Sequence, residues 1–256
     1  MRAIGNELDG CKKNLERAKK HIVDLNTAVD EFVASKPYKF RVDLDWNYRQ
    51  VIKYAQLTRP IPDEIYFAAR DAIYGIRVPL DHMTCQLAIK NVKSTNGVSF
   101  PIAGSAKEFG EAQAQGKIRK LAPAAQAFIC GLNPYLGGDN LLWAVGNINN
   151  PDKHVDLVPI GLSGGGMMGS LGIGGTGYVG ELIIGSLTWS AMDESMEVMR
   201  FSMDTTVQLQ DNREPVLNIA FREMSPIKYR PIVGLVTEAH TRVSEIITEA
   251  EKRFFP

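Results

Sequence analysis

Three cysteines in 256 residues, Cys11, Cys85 and Cys130, are too few and too far apart for a disulfide framework. An odd, scattered set in mostly apolar surroundings points to free thiols in a reducing compartment, so a cytoplasmic protein is expected. An excess of one charge is also lacking, since 29 Lys and Arg balance 29 Asp and Glu. No global field draws the chain to nucleic acid or to an acidic membrane, and any RNA binding must rest on a local patch. The opening stretch MRAIGNELDGCKKNLERAKK is polar and charged, without an apolar run of signal-peptide length, and nothing in it marks the protein for export. From Leu157 to Gly180 there is no charged residue, which is long enough for a membrane span, but ten of those 24 residues are glycine. Each glycine costs a helix about 1 kcal/mol relative to alanine, so the stretch reads as a flexible loop between strands and no membrane contact is expected.

What is present is an ordinary globular composition, 45% hydrophobic and 23% charged, enough to bury a full core. Residues 5 to 35 place Leu8, Leu15, Ile22, Leu25, Val29 and Phe32 at helical spacing, and Pro37 closes that helix. Phe40, Val42, Leu44, Trp46 and Tyr48 then alternate with charged or polar residues, the period of a half-buried strand. Because one strand through residue 57 would be too long, the segment folds as a hairpin turning near Asp45 to Asn47.

Asp63 and Glu64 open a helix running to about Lys90, with Pro79 expected to kink it. The stretch from Ser105 to Ile129 suggests two short helices broken near Pro123, and Asp139 can cap a helix through Trp143 to about Asn147. The second half changes character: VDLVPIGL, VGELIIGSLTW, SMEVMRFSM, TTVQLQ and PVLNIAF are strand-like runs before a closing helix over residues 231 to 254. Helices first and strands later give an α+β fold, read as one domain of residues 1 to 256 with a helical layer on an antiparallel sheet.

Two constellations carry chemistry. RDAIYGIRVPLDHMTCQLAI, residues 70 to 89, puts Arg77, Asp81 and His82 on an otherwise apolar helix. Arginine can hold a phosphate and histidine can carry a proton between a 2′-hydroxyl and a leaving group, the division of labour of metal-independent ribonucleases. Five residues turn a helix by about 500°, leaving Arg77 and His82 about 140° apart, so the Pro79 kink or a second protomer would have to unite them. Arg77 and Asp81, four apart, can also pair simply on the helix, and His82 and Cys85 can be satisfied core groups. A metal set of His82, Cys85, Asp152 and His154 has no spacing that forces it together, so no metal or other cofactor is expected.

The second constellation is NINNPDKH, residues 147 to 154, with Asn147, Asn150, Asp152, Lys153 and His154. These are turn formers, yet Lys153 and His154 can bind an anion and donate a proton to it. GIGGTG at 172 to 177 has the spacing of a dinucleotide loop, but a strand-like run follows it where a helix is needed, and it is read as a hairpin.

At these two stretches the chain resembles a recurrent family of bacterial and phage-associated proteins of unassigned activity, through Asp71, Ala72, Arg77, Leu80, Asp81, His82, Gln86 and Leu87, then Asn147, Asn150, Asp152, Lys153 and His154. Weaker matches are FPI at 100 to 102 and GLNPY at 131 to 135, and the departures are Tyr74, Gly75 and Pro79. The resemblance implies that the two motifs share one neighbourhood. The helix is also similar to that of the HEPN domains, many of them dimeric ribonucleases with an R-x4-6-H motif, although Val78 stands where those have a polar residue. The expectation is therefore a HEPN-like, metal-independent ribonuclease or phosphodiester-handling protein, with RNA and a second copy of the chain as partners. Arg77, Asp81, His82 and His154 would be catalytic, and Lys153, Asp152, Asn147 and Asn150 would bind substrate. The alternative is a non-catalytic binding or structural protein in which the same residues form a buried polar network.

Overall fold

The computed structural model describes residues 7–148, 157–161, 182–184, 189–190, 195–203, 217–221, 227 and 230–256. In chain order the elements are α1 (Asp9–Ala34), β1 (Tyr38–Asp45), β2 (Gln50–Leu57), α2 (Asp63–Val92), α3 (Ala106–Gly110), α4 (Ala112–Gly116), α5 (Pro123–Gly131), α6 (Asn140–Ile148), β3 (Leu157–Gly161), β4 (Leu182–Ile184), β5 (Trp189–Ser190), β6 (Ser195–Ser202), β7 (Leu217–Phe221) and α7 (Ile232–Phe254). The fold is α+β, with antiparallel strand pairing throughout the named strands.

The residues cluster into two compact units, each assembled from separated pieces of chain. One comprises residues 1–27, 63–155 and 223–256, and the other residues 28–62 and 156–222.

The helical unit is organised by α1, α2 and α7. Their apolar stripes are shut off from solvent: Leu8, Cys11, Leu15 and Ala18 from α1 and its lead-in, Ile73, Ile76, Leu80 and Met83 from α2, and Val236, Val243, Ile246 and Ile247 from α7. Burial of this kind stabilises by about 1.5 to 3 kcal/mol for each large side chain. Between α1 and α2 the approach is close at two glycines. A Cβ built on Gly75 would lie 2.9 Å from Ala18 Cβ, and one on Gly10 would lie 2.5 Å from His82 Cε1. At Gly75 only a residue without a side chain lets the two helices sit this near, whereas at Gly10 the space is taken by the His82 ring. His240 of α7 joins the set by an Nε2 contact of 3.0 Å to the Leu15 carbonyl of α1.

Helix α2 runs unbroken through Pro79. A proline nitrogen cannot donate to the carbonyl four residues earlier, which removes one helical bond. The Pro79 carbonyl gains a side-chain donor, Cys11 Sγ at 3.4 Å, so the fault lies against α1. Between Ser105 and Ile129 the expected two helices are three. Ser105 Oγ caps α3 by accepting from Glu108 N at 3.2 Å, α3 ends at Gly110, and a single turn, α4, follows before Pro123 opens α5.

The strand unit holds a sheet in the order β1-β2-β6-β4, with β5 also on β6, and a separate β3-β7 pair. The β1-β2 hairpin pairs Tyr38 with Leu57 and Asp45 with Gln50, and residues 46–49 form its turn. Asp45 Oδ1 accepts from Asn47 N at 3.1 Å and from Tyr48 N at 3.2 Å, which fixes that turn. A register shift between Lys53 and Tyr54 leaves Val198 of β6 as the extra residue between Glu197 and Met199. Ala55, Met196 and Val198 form a small core there, with Tyr38 and Met199 packed on it. The TTVQLQ run and the glycine stretch at 162–181 lie outside the described residues.

Candidate functional site

The segment that carries Arg77, Asp81 and His82 is the middle of α2, within the helical unit. Arg77 and Asp81 stand one turn apart, and Nη1 lies 2.9 Å from Oδ1. That nitrogen is enclosed and angled away from a linear hydrogen bond, so the contact acts as an ion pair. Nη2 instead donates to the Phe100 carbonyl at 3.1 Å, while Asp81 Oδ1 accepts from the Phe100 backbone nitrogen at 2.8 Å. The two side chains thus grip both polar groups of one peptide residue, and the guanidinium also lies 5.8 Å from the Phe100 ring centroid. Burial pulls the Arg77 pKa below its ordinary value, and the charge of Asp81 opposes that.

His82 belongs to a different neighbourhood. Its Nε2 is 3.1 Å from the Gln86 side-chain nitrogen, one turn along α2. Its other edge rests on Gly10 of α1, where an added Cβ would come within 2.9 Å of Nδ1. The ring is half-buried. Cys85 reaches only a weak contact, 3.9 Å from the Val98 carbonyl, and burial followed by the charge of Asp81 raises its thiol pKa.

The structure therefore brings Arg77 and Asp81 together and sets His82 among other partners. A single buried network of all three is not present: Asp81 keeps 39% of its side chain exposed against 15% for Arg77, and His82 bonds elsewhere. At the second motif Asn147 donates from Nδ2 to the Trp143 carbonyl at 2.9 Å, closing the last turn of α6. Asn150, Asp152, Lys153 and His154 lie outside the described residues.

Comparison of the chain with protein-family models, curated proteins and solved structures finds no match. Among the described residues no group of three or more His, Cys, Asp and Glu side chains is placed to hold a metal ion. No helix among them is long and apolar enough to cross a membrane.

An open cleft of about 540 Å³ lies where α6 starts, lined by Asn133, Gly138, Asp139, Asn140 and Arg242 among others. Asp139 holds this corner with both oxygens: Oδ1 accepts from Leu141 N and Leu142 N, each at 3.1 Å, and Oδ2 from Arg242 Nε at 2.8 Å. Asn133 with φ +50 and Gly137 with φ +89 make the turn that leads into it. The signal in the sequence was GLNPYLGGDN, whose turn chemistry is legible but whose partner Arg242 is 103 residues away.

Proposed function

We propose that this chain is a phosphodiester-handling protein and, in the most specific form, a metal-independent ribonuclease of the HEPN kind. The observation that supports it best is the setting of His82. Proton transfer needs an imidazole held in one orientation, partly open to substrate and able to take up or release a proton near neutral pH. Gln86 and Gly10 fix the ring of His82, and it remains half-buried rather than enclosed.

In this reading His82 draws the proton from a 2′-hydroxyl or returns one to the leaving oxygen, with His154 as the second carrier. Arg77 reaches phosphate by exchanging the Asp81 carboxylate for a phosphate oxygen, one anion for another. Lys153 adds positive charge.

The test compares the wild type with His82→Ala and His154→Ala on single-stranded and structured RNA in excess EDTA, with a thermal melt of each. The reading expects cleavage by the wild type and a fall of about 100-fold or more in variants that melt normally. Absence of cleavage by the wild type overturns it, as does undiminished cleavage by a folded His82→Ala protein.

A further inference from the structure

From the edge of the five-stranded sheet we infer that two copies of this chain associate through β1, paired antiparallel about a two-fold axis at Val42. The inference is independent of the catalytic reading. Among the described strands β1 has a single neighbour, β2, and its outer side meets none. Val42 and Leu44 are 57% and 50% exposed, and Trp46 in the adjoining turn is 73% exposed. A bare edge with apolar side chains is a template for another strand.

The backbone settles which groups point outward. Thr58 N donates to the Pro37 carbonyl at 2.9 Å, in line with the register that pairs Lys39 with Gln56 and Arg41 with Tyr54. Bonding alternates along an antiparallel strand, so Lys39, Arg41 and Asp43 direct their peptide groups at β2. Phe40, Val42 and Leu44 direct theirs to the open edge.

Charge then selects the register. Along β1 the outward charges run Lys39, Arg41, Asp43, Asp45, two positive and then two negative. A two-fold axis at Val42 places Lys39 opposite Asp45 and Arg41 opposite Asp43 of the other copy. The same axis sets Phe40 opposite Leu44 and Val42 opposite itself, with outward peptide groups facing outward peptide groups. Shifting the axis to residue 40, 41, 43 or 44 brings at least one pair of like charges face to face. Opposite charges stabilise a directly facing pair and like charges destabilise it. Arg41 and Asp43 are available for this exchange, being 42% and 46% exposed and 3.0 Å apart within one chain.

The test is sedimentation or light scattering of the full chain over about a hundredfold range of concentration. Wild type is expected to pass from monomer to dimer. Arg41→Asp and Asp43→Lys each place two like-charge contacts across the axis and are expected to stay monomeric alone. Mixed together they restore all four opposite-charge pairs and are expected to form a heterodimer. Val42→Pro removes only an outward N–H, which edge strands tolerate, so it keeps the fold and loses the dimer. A wild type that stays monomeric throughout overturns the inference. So does a dimer that survives Val42→Pro or either charge reversal, because the contact then lies elsewhere.

Discussion

At the residue scale the Arg77–Asp81 pair is asymmetric, and the asymmetry has a measurable consequence. Arg77 is 15% exposed and Asp81 39% exposed, so removing the aspartate strands a charge in a drier place than removing the arginine does. Asp81→Ala also leaves the Phe100 N–H without its acceptor. It is expected to cost about 3 kcal/mol and Arg77→Met about 1 kcal/mol, an order checked by urea denaturation of both variants. Cys11 offers a second test. It is fully buried, and burial pushes its thiol from 9.0 up to about 12. An acid whose folded-state value is raised stays protonated while the unfolded chain ionises. Its contribution is therefore complete below pH 9 and is lost as pH rises from there towards 12. Between pH 8 and pH 11 wild type should lose about 2 kcal/mol more stability than Cys11→Ala, and parallel losses in the two proteins would show that the thiol does not titrate this way.

At the element scale the close contact of α1 with α2 reverses a rule of helix propensity. Glycine to alanine inside a helix gains about 1 kcal/mol where space allows. Gly75→Ala would bring a Cβ within 2.9 Å of Ala18 Cβ and 3.3 Å of its Cα, so it is expected to destabilise by about 1 to 3 kcal/mol. Ala18→Gly in the same chain should recover much of that loss, a coupling that a double-mutant cycle of melting curves reads directly. The long elements were legible because their periodicity is sustained: α1, α2 and α7 by their apolar stripes, and the β1-β2 hairpin by the alternation from Phe40 that resumes at Ile52 and Tyr54, although Val42 and Leu44 are exposed where a half-buried strand was expected. The five-residue helices α3 and α4 are too short to show a period, which is why two helices were expected where three occur. At the site, the four-residue spacing gave the Arg77–Asp81 pair. Nothing local could give Phe100, 23 residues from Arg77 and recognised through its peptide group, or Gly10 as the floor beneath His82.

At the scale of the whole molecule, balanced charge and two units built from interleaved pieces of chain place the burden of function on a few side chains. His82 is the one on which the account turns. Its proposed chemistry needs a neighbouring 2′-hydroxyl as nucleophile, which an RNA backbone supplies and a DNA backbone does not. The most direct measurement is incubation of the full chain, in excess EDTA, with an RNA strand and the DNA strand of the same sequence. The account predicts that RNA alone is cut, leaving a 2′,3′-cyclic phosphate end. Cleavage of both strands, or of neither, would contradict it.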